Sequence, residues 1–115
     1  MPTDRALVAL TDISDNLDLA QGFVQGMTEA QFLADRRTFY AVTRCLEIVS
    51  EACRRLPQDL RDRHPHLPWR AIMGAGNIYR HDYDNVEEAF VWRTVQTGLA
   101  PLHEAVRSEI ARLAG

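Results

Sequence analysis

The sequence predicts an all-α protein, an up-and-down bundle of four main helices plus a short one. Apolar residues recur every three or four positions along each long segment. No segment alternates with the period of two that a half-buried strand shows. Capping residues, glycines and prolines cut the pattern into pieces of helical length.

The first helix is expected over about Asp4 to Gln25, with Leu7, Leu10, Ile13, Leu17, Ala20 and Val24 on one stripe. Gly26 suits the left-handed position after a helix end. Thr28-x-x-Gln31 is a capping-box pattern that opens a short turn through Phe32. The second long helix is expected over about Asp35 to Leu56. Its apolar set is Phe39, Val42, Leu46, Val49, Cys53 and Leu56, a near-heptad seam for a neighbouring helix. On another face, Arg44, Glu47, Glu51 and Arg54 have the spacing of a weak ion-pair ladder. The other reading of that face is that Glu51 or Arg44 orients a polar site.

Pro57 stops this helix, and Asp59 to His64 form a short turn. Pro65 and Pro68 shape a bend, with Pro68 suited to the first turn of a third helix opened by Trp69. That helix carries Trp69, Ile72 and Met73 inward. Gly74 and Gly76 weaken it and point to a close backbone approach or a distortion. Asp84-x-x-Glu87 is a capping-type start for the last helix. Its stripe is Val91, Val95, Leu99, Leu102, Val106, Ile110 and Leu113, and Pro101 is expected to kink it.

The 115 residues amount to a single domain, 1–115, by length. A composition 46% apolar and 25% charged is that of a water-soluble globular chain. No apolar run approaches the ~20 residues of a membrane span. The start, Met-Pro-Thr-Asp-Arg, lacks a basic segment followed by an apolar one, so no secretory signal is expected. Cys45 and Cys53 sit about 12 Å apart along a helix, too far to bridge. They are expected to be reduced core residues of a cytoplasmic protein. All 13 basic residues are arginines, yet the net charge is −3 and the pI about 5.7. A broad nucleic-acid footprint is excluded, and any RNA contact must be local.

The densest chemistry lies in Gly76-Asn77-Ile78-Tyr79-Arg80-His81-Asp82-Tyr83-Asp84, between two helical segments. His81 can move a proton near neutral pH. Arg80 can fork onto a phosphate. Tyr83 offers a hydroxyl and a ring on which a base can stack. These groups suit cleavage of an RNA phosphodiester. They also suit a quieter role, with the histidine satisfying carbonyls at a helix end and Tyr83 half-buried. No metal site and no cofactor are expected, because no histidine pair stands at i, i+4 and both cysteines lie on a core stripe. His64 and His66 are expected in solvent, and His103 partly exposed on the last helix.

Several stretches resemble the HepT-like toxins of the HEPN superfamily, and the likeness covers nearly the whole chain. Thr38 to Leu56 resembles the family's central helix, with Ile48-Val49-Ser50-Glu51-Ala52 in place of an "IGEA"-like run. Pro68-Trp69-Arg70-Ala71-Ile72 resembles its "PW..I" step, and Val91-Trp92-Arg93-Thr94-Val95 its "vW.tv" segment. Between them Asn77, His81 and Tyr83 fit the family motif in register. The resemblance implies an all-α homodimer with two motif copies across a shared cleft. It implies a metal-independent endoribonuclease and a minimal nucleotidyltransferase antitoxin as partner. It also implies Tyr83 as the acceptor of AMP from that partner. The motif arginine is replaced by Gly76, and Arg80 stands beside the histidine instead. Three readings follow: a ribonuclease with a rearranged cation, a degenerate module that binds its partner or RNA without cutting, or an unrelated role on the same scaffold. Catalytic candidates are His81, Arg80 and Asn77, with Glu51 and Arg44 as orienting candidates.

Overall fold

A computed structural model describes the backbone of residues 2–81 and 87–115, and the side chains of 4–79 and 87–115. Among these residues there are seven α-helices and no strand. They are α1 (Pro2–Phe23), α2 (Glu29–Ala34), α3 (Arg36–Arg54), α4 (Gln58–Asp62), α5 (Trp69–His81), α6 (Glu88–Arg93) and α7 (Ala100–Ala114). A π-helical turn over Thr94–Gly98 joins the last two. The four expected main helices are therefore α1, α3, α5 and the α6–π–α7 rod. The short segments α2 and α4 connect them.

α3 is the central helix, packed on α1 along one side and on α5 along another. Its whole expected seam, Phe39 through Leu56, is buried. Cys45 and Cys53 are free and buried within it. Burial pushes the Cys53 thiol up to about 12, so it is a core group and not a nucleophile. On α1 the buried stripe is Ala6, Ala9, Leu10, Ile13, Leu17, Ala20 and Val24, while Leu7 is 40% exposed, contrary to expectation.

Local signals set the boundaries. Gly26 ends α1 with φ of 80°, in the left-handed region. The capping box forms in full: Gln31 N–H donates to Thr28 Oγ1 (3.2 Å) and Thr28 N–H to Gln31 Oε1 (2.9 Å). Asp35 caps α3 by accepting from Thr38 N–H at 3.1 Å and from the Thr38 hydroxyl at 2.8 Å. Those bonds, the backbone one first, lower its carboxyl below the usual range. Phe32 of α2 is buried against the rings of Phe39 and Trp92.

Three expectations are corrected. Pro101 does not kink a continuous helix but sits in the first turn of α7, where its missing N–H costs nothing. The break falls earlier, as the π turn, closed by Leu99 N–H to Thr94 O at 3.1 Å. The Thr94 and Thr97 hydroxyls donate back to the carbonyls of Phe90 and Arg93. His64 is not in solvent: only 14% of its side chain is exposed, and Nε2 lies 2.6 Å from Glu109 Oε2. His103 is buried, with Nε2 3.2 Å from Asp18 Oδ1 but poorly aligned for a hydrogen bond. The start proposed at Asp84 lies outside the described residues. The residue before α6 is Glu87, which makes no side-chain cap.

Glu109 explains the place of His64. It is 3% exposed and receives two hydrogen bonds from Arg63, 2.7 and 3.2 Å, as well as the His64 contact. The Arg63 bonds hold its carboxyl below the usual range, against the opposing effect of burial. Trp69 fastens the same loop, its indole N–H shared between the carbonyls of Arg61 and His64, each at 3.0 Å. This anchored loop fixes the start of α5, the helix that carries the candidate site.

Candidate functional site

α3 and α5 cross antiparallel, and the crossing is drawn tight by one hydroxyl. Ser50 Oγ donates to Met73 O at 2.9 Å and accepts the Gly76 N–H at 2.9 Å. Ser50 is 1% exposed. Arg54 Nε also donates to Met73 O, at 2.9 Å. Residue 76 is a glycine because this approach leaves no room for a side chain. A Cβ there would lie 2.8 Å from Ser50 Oγ, 3.0 Å from Ser50 Cβ and 3.5 Å from the Glu47 carbonyl. The departure from the expected motif is thus built into the packing, since an arginine at 76 would have to force the two helices apart.

α5 remains helical to His81. With 3.6 residues per turn, positions 76 and 80 fall on the face turned to α3, while 77 and 81 share a neighbouring face. Asn77 is exposed on that second face, and Ile78 beside it is 55% exposed. Tyr79 is partly buried against the core, and burial raises its hydroxyl pKa. The side chains of Arg80 and His81, and all of Tyr83, lie outside the described residues.

On α3 the expected ladder is only partly formed. Arg44 Nη1 pairs with Glu47 Oε1 at 3.0 Å, but Arg54 turns to the Met73 carbonyl instead. The register places Glu47 beside Gly76 and Arg44 one turn further toward the end of α5. Arg44 is exposed and Glu51 partly buried. Next to the exposed face of α5 runs a largely apolar groove of about 550 Å³, lined by Ala71, Gly74, Ala75, Ile78, Tyr79, Glu87 and Phe90. Phe90, at 52% exposed, and Ile78 flank it. Among the described residues no group of three or more histidine, cysteine or carboxylate side chains could hold a metal ion. None of the described helices is long and apolar enough to cross a membrane.

The sequence reading overlooked Ser50 as the partner of Gly76. The available signal was a small polar residue in a buried seam, facing a pair of glycines on the next helix. It also overlooked the arginines that gather around Met73.

The model of the HepT-like ribonuclease family, "Ribonuclease HepT-like", matches residues 13–109. The chain belongs to the HepT-like ribonuclease family. A protein of Methanocaldococcus jannaschii whose name proposes an RNase is 32% identical over 96 residues, 84% of this chain and 79% of that protein. Another from the same organism, named in the same way, is 32% identical over 96 residues, 84% of this chain and 83% of its own length. A protein of Thermococcus cleftensis whose name proposes a ribonuclease HepT is 33% identical over 93 residues, 81% of this chain and 84% of that one. No solved structure matches. In this HepT-like chain the matched region runs from Ile13 on α1 to the buried Glu109 on α7. It therefore includes the Ser50–Gly76 crossing and the motif that follows.

Proposed function

We propose that this HepT-like chain is the toxin of a toxin–antitoxin pair, a metal-independent endoribonuclease acting at a cleft between two copies. What supports the reading is the exposed stretch of α5 at Asn77 and Ile78, with the uncovered Phe90 across the groove, on the helix whose last residue is His81. A second copy laid on this face would cover the apolar groove and bring two His81 residues to one two-fold axis. One imidazole would take the proton of an RNA 2′-hydroxyl as O2′ bonds to phosphorus. The other would give a proton to the departing 5′-oxygen as its bond to phosphorus breaks. Each such proton transfer contributes about 10²–10⁴ in rate.

The cation that stabilises the phosphorane cannot come from position 76. Arg80, one turn above Gly76 on the α3-facing side, and Arg44 across the crossing are the groups proposed for it. Asn77 would orient the phosphate, and Glu51 would hold the cation in place. Tyr83 is proposed to stack on a base or to accept AMP from a minimal nucleotidyltransferase antitoxin. The protein is taken to act in the cytoplasm as one domain.

The test is cleavage of RNA by purified protein in the presence of a chelator. Wild type should cut, and His81→Ala should lose the activity while keeping its oligomeric state. Cleavage unchanged by that substitution would reject the reading. A second reading, a degenerate module that binds its partner without cutting, is favoured by the glycine at position 76. A mass increase on Tyr83 after incubation with ATP and the nucleotidyltransferase, with no nuclease activity in the wild type, would select it.

A further inference from the structure

Five arginines lie between Arg54 and Arg70, and they divide into two groups. Arg55 pairs with Asp12 at 2.8 Å, and Arg63 pairs with Glu109 at 2.7 Å. Arg54, Arg61 and Arg70 make no ion pair with any carboxylate among the described residues. Arg54 and Arg61 both close on Met73. Arg54 Nε bonds the Met73 carbonyl, and Arg61 Nη1 lies 2.8 Å from the Met73 sulfur. A thioether is a weak acceptor for a guanidinium. Arg61 Nε is buried with no acceptor at all. Its remaining bond goes to the neutral side chain of Gln58, at 3.1 Å. Arg70 stands one turn before Met73 on α5, exposed. Three uncompensated positive charges thus gather at one end of the α3–α5 crossing, in a chain whose net charge is −3.

We propose that Arg54, Arg61 and Arg70 form a phosphate-binding subsite for the backbone of single-stranded RNA, remote from the cut. An under-satisfied guanidinium beside a free one is the arrangement that two phosphate oxygens complete, because arginine donates to phosphate through a planar fork. Met73 and His81 are eight residues apart on α5, about 12 Å along the axis. At about 3.4 Å per stacked nucleotide, the subsite holds the strand roughly three or four nucleotides from the scissile bond. The inference rests on the ribonuclease reading for the identity of the strand.

The test is fluorescence anisotropy with a labelled 20-nucleotide single-stranded RNA, 2′-O-methylated throughout so that it cannot be cut. Each phosphate contact on a single strand contributes about 0.7 to the salt slope, a factor of about 5 in affinity between 1 M and 0.1 M salt. Arg70→Gln removes no contact within the fold and should weaken binding about 5-fold at 0.1 M salt. The triple change Arg54→Gln, Arg61→Gln, Arg70→Gln should weaken it roughly 100-fold and lower the slope by about 2. Arg55→Gln removes the same charge from a carboxylate-paired neighbour and should change affinity less than about 2-fold. Binding within 2-fold of wild type for Arg70→Gln overturns the subsite, and so does an equal loss for Arg55→Gln. Intact RNA affinity with loss of an acidic protein partner would also overturn it, since the patch would then serve a protein surface. If His81→Ala leaves cleavage intact while the arginine variants lose binding, the subsite stands and the proposed catalytic role falls. The opposite pattern removes the subsite alone.

Discussion

Replacing Gly76 by alanine puts two opposed effects on one residue, and the structure decides which wins. Alanine in a helix interior gains about 1 kcal/mol over glycine. Against this, the new Cβ would meet Ser50 Oγ at 2.8 Å and Ser50 Cβ at 3.0 Å, both inside the buried crossing. Ser50 Oγ could swing away only by giving up both of its hydrogen bonds, and Ser50 Cβ cannot move without its backbone, so the helices must separate. Overpacking of this kind costs about 1–3 kcal/mol. Separation also stretches the two Ser50 hydrogen bonds, each contributing about 1 kcal/mol. The net expectation is a loss of about 1–3 kcal/mol, or roughly 4–12 °C in Tm for a chain of this length. For the same substitution in a Ser50→Gly background both of those atoms are gone, and the next nearest, the Glu47 carbonyl, lies at an ordinary 3.5 Å. There it should stabilise by about the 1 kcal/mol of helix propensity. Thermal and urea unfolding followed by Trp69 and Trp92 fluorescence would read both. A higher Tm for Gly76→Ala in the otherwise wild-type chain would refute the reasoning. Gly76→Arg, which restores the family motif on paper, should for the same reason lower RNA cleavage rather than raise it.

Glu109→Gln should cost about 2–3 kcal/mol by leaving Arg63 and His64 without their carboxylate, with the exposed side of Arg63 softening the loss. Its folded pKa is lowered, so the stability it adds is present above the ordinary glutamate pKa of about 4.3 and is lost as pH falls through the lower folded value. Acid unfolding of wild type should therefore show a step that the variant lacks, and coincident curves would contradict the pairing. Trp69→Phe keeps an aromatic ring but removes part of the packed indole and the N–H shared by the Arg61 and His64 carbonyls, and should cost about 2–3 kcal/mol in urea unfolding. Iodoacetamide at pH 8 should leave Cys53 unmodified in the folded chain and alkylate it after denaturation, as mass spectrometry would show.

Much of the fold was legible because its signals are local. The Thr28–Gln31 box, the turn at Gly26 and the α3 seam each depend on residues within a turn or two, and all took their expected form. The misreadings involve partners far apart in the chain. Nothing near His64 announces Glu109, 45 residues away, so a histidine hydrogen-bonded to a buried carboxylate looked like a loop residue. Leu7 looked inward because it continues a three-four pattern, but the buried stripe there runs through Ala6 and Ala9 instead. The last helix is interrupted, yet not at Pro101: the distortion lies upstream in Thr94–Gly98, where two threonine hydroxyls bond back to the preceding carbonyls.

At the candidate site, the close backbone approach at Gly76 was legible from the glycines, although the motif, expected between two helical segments, lies on α5 as far as His81. The reason for the glycine at 76 was not, because it lies in a serine on another helix. The arginines around Met73 were equally hidden, since sequence distinguishes neither a paired guanidinium from an unpaired one nor which loop folds back on α5.

The central claim is that one cleft takes a His81 from each of two copies, and mixed dimers test it most directly. Wild-type and His81→Ala chains would be unfolded together, refolded at equal amounts and assayed for RNA cleavage under a chelator. If both imidazoles are required, only wild-type pairs cut, and activity should fall to about a quarter of the all-wild-type value. Activity of half or more would mean that a single chain's His81 suffices, which would contradict the account.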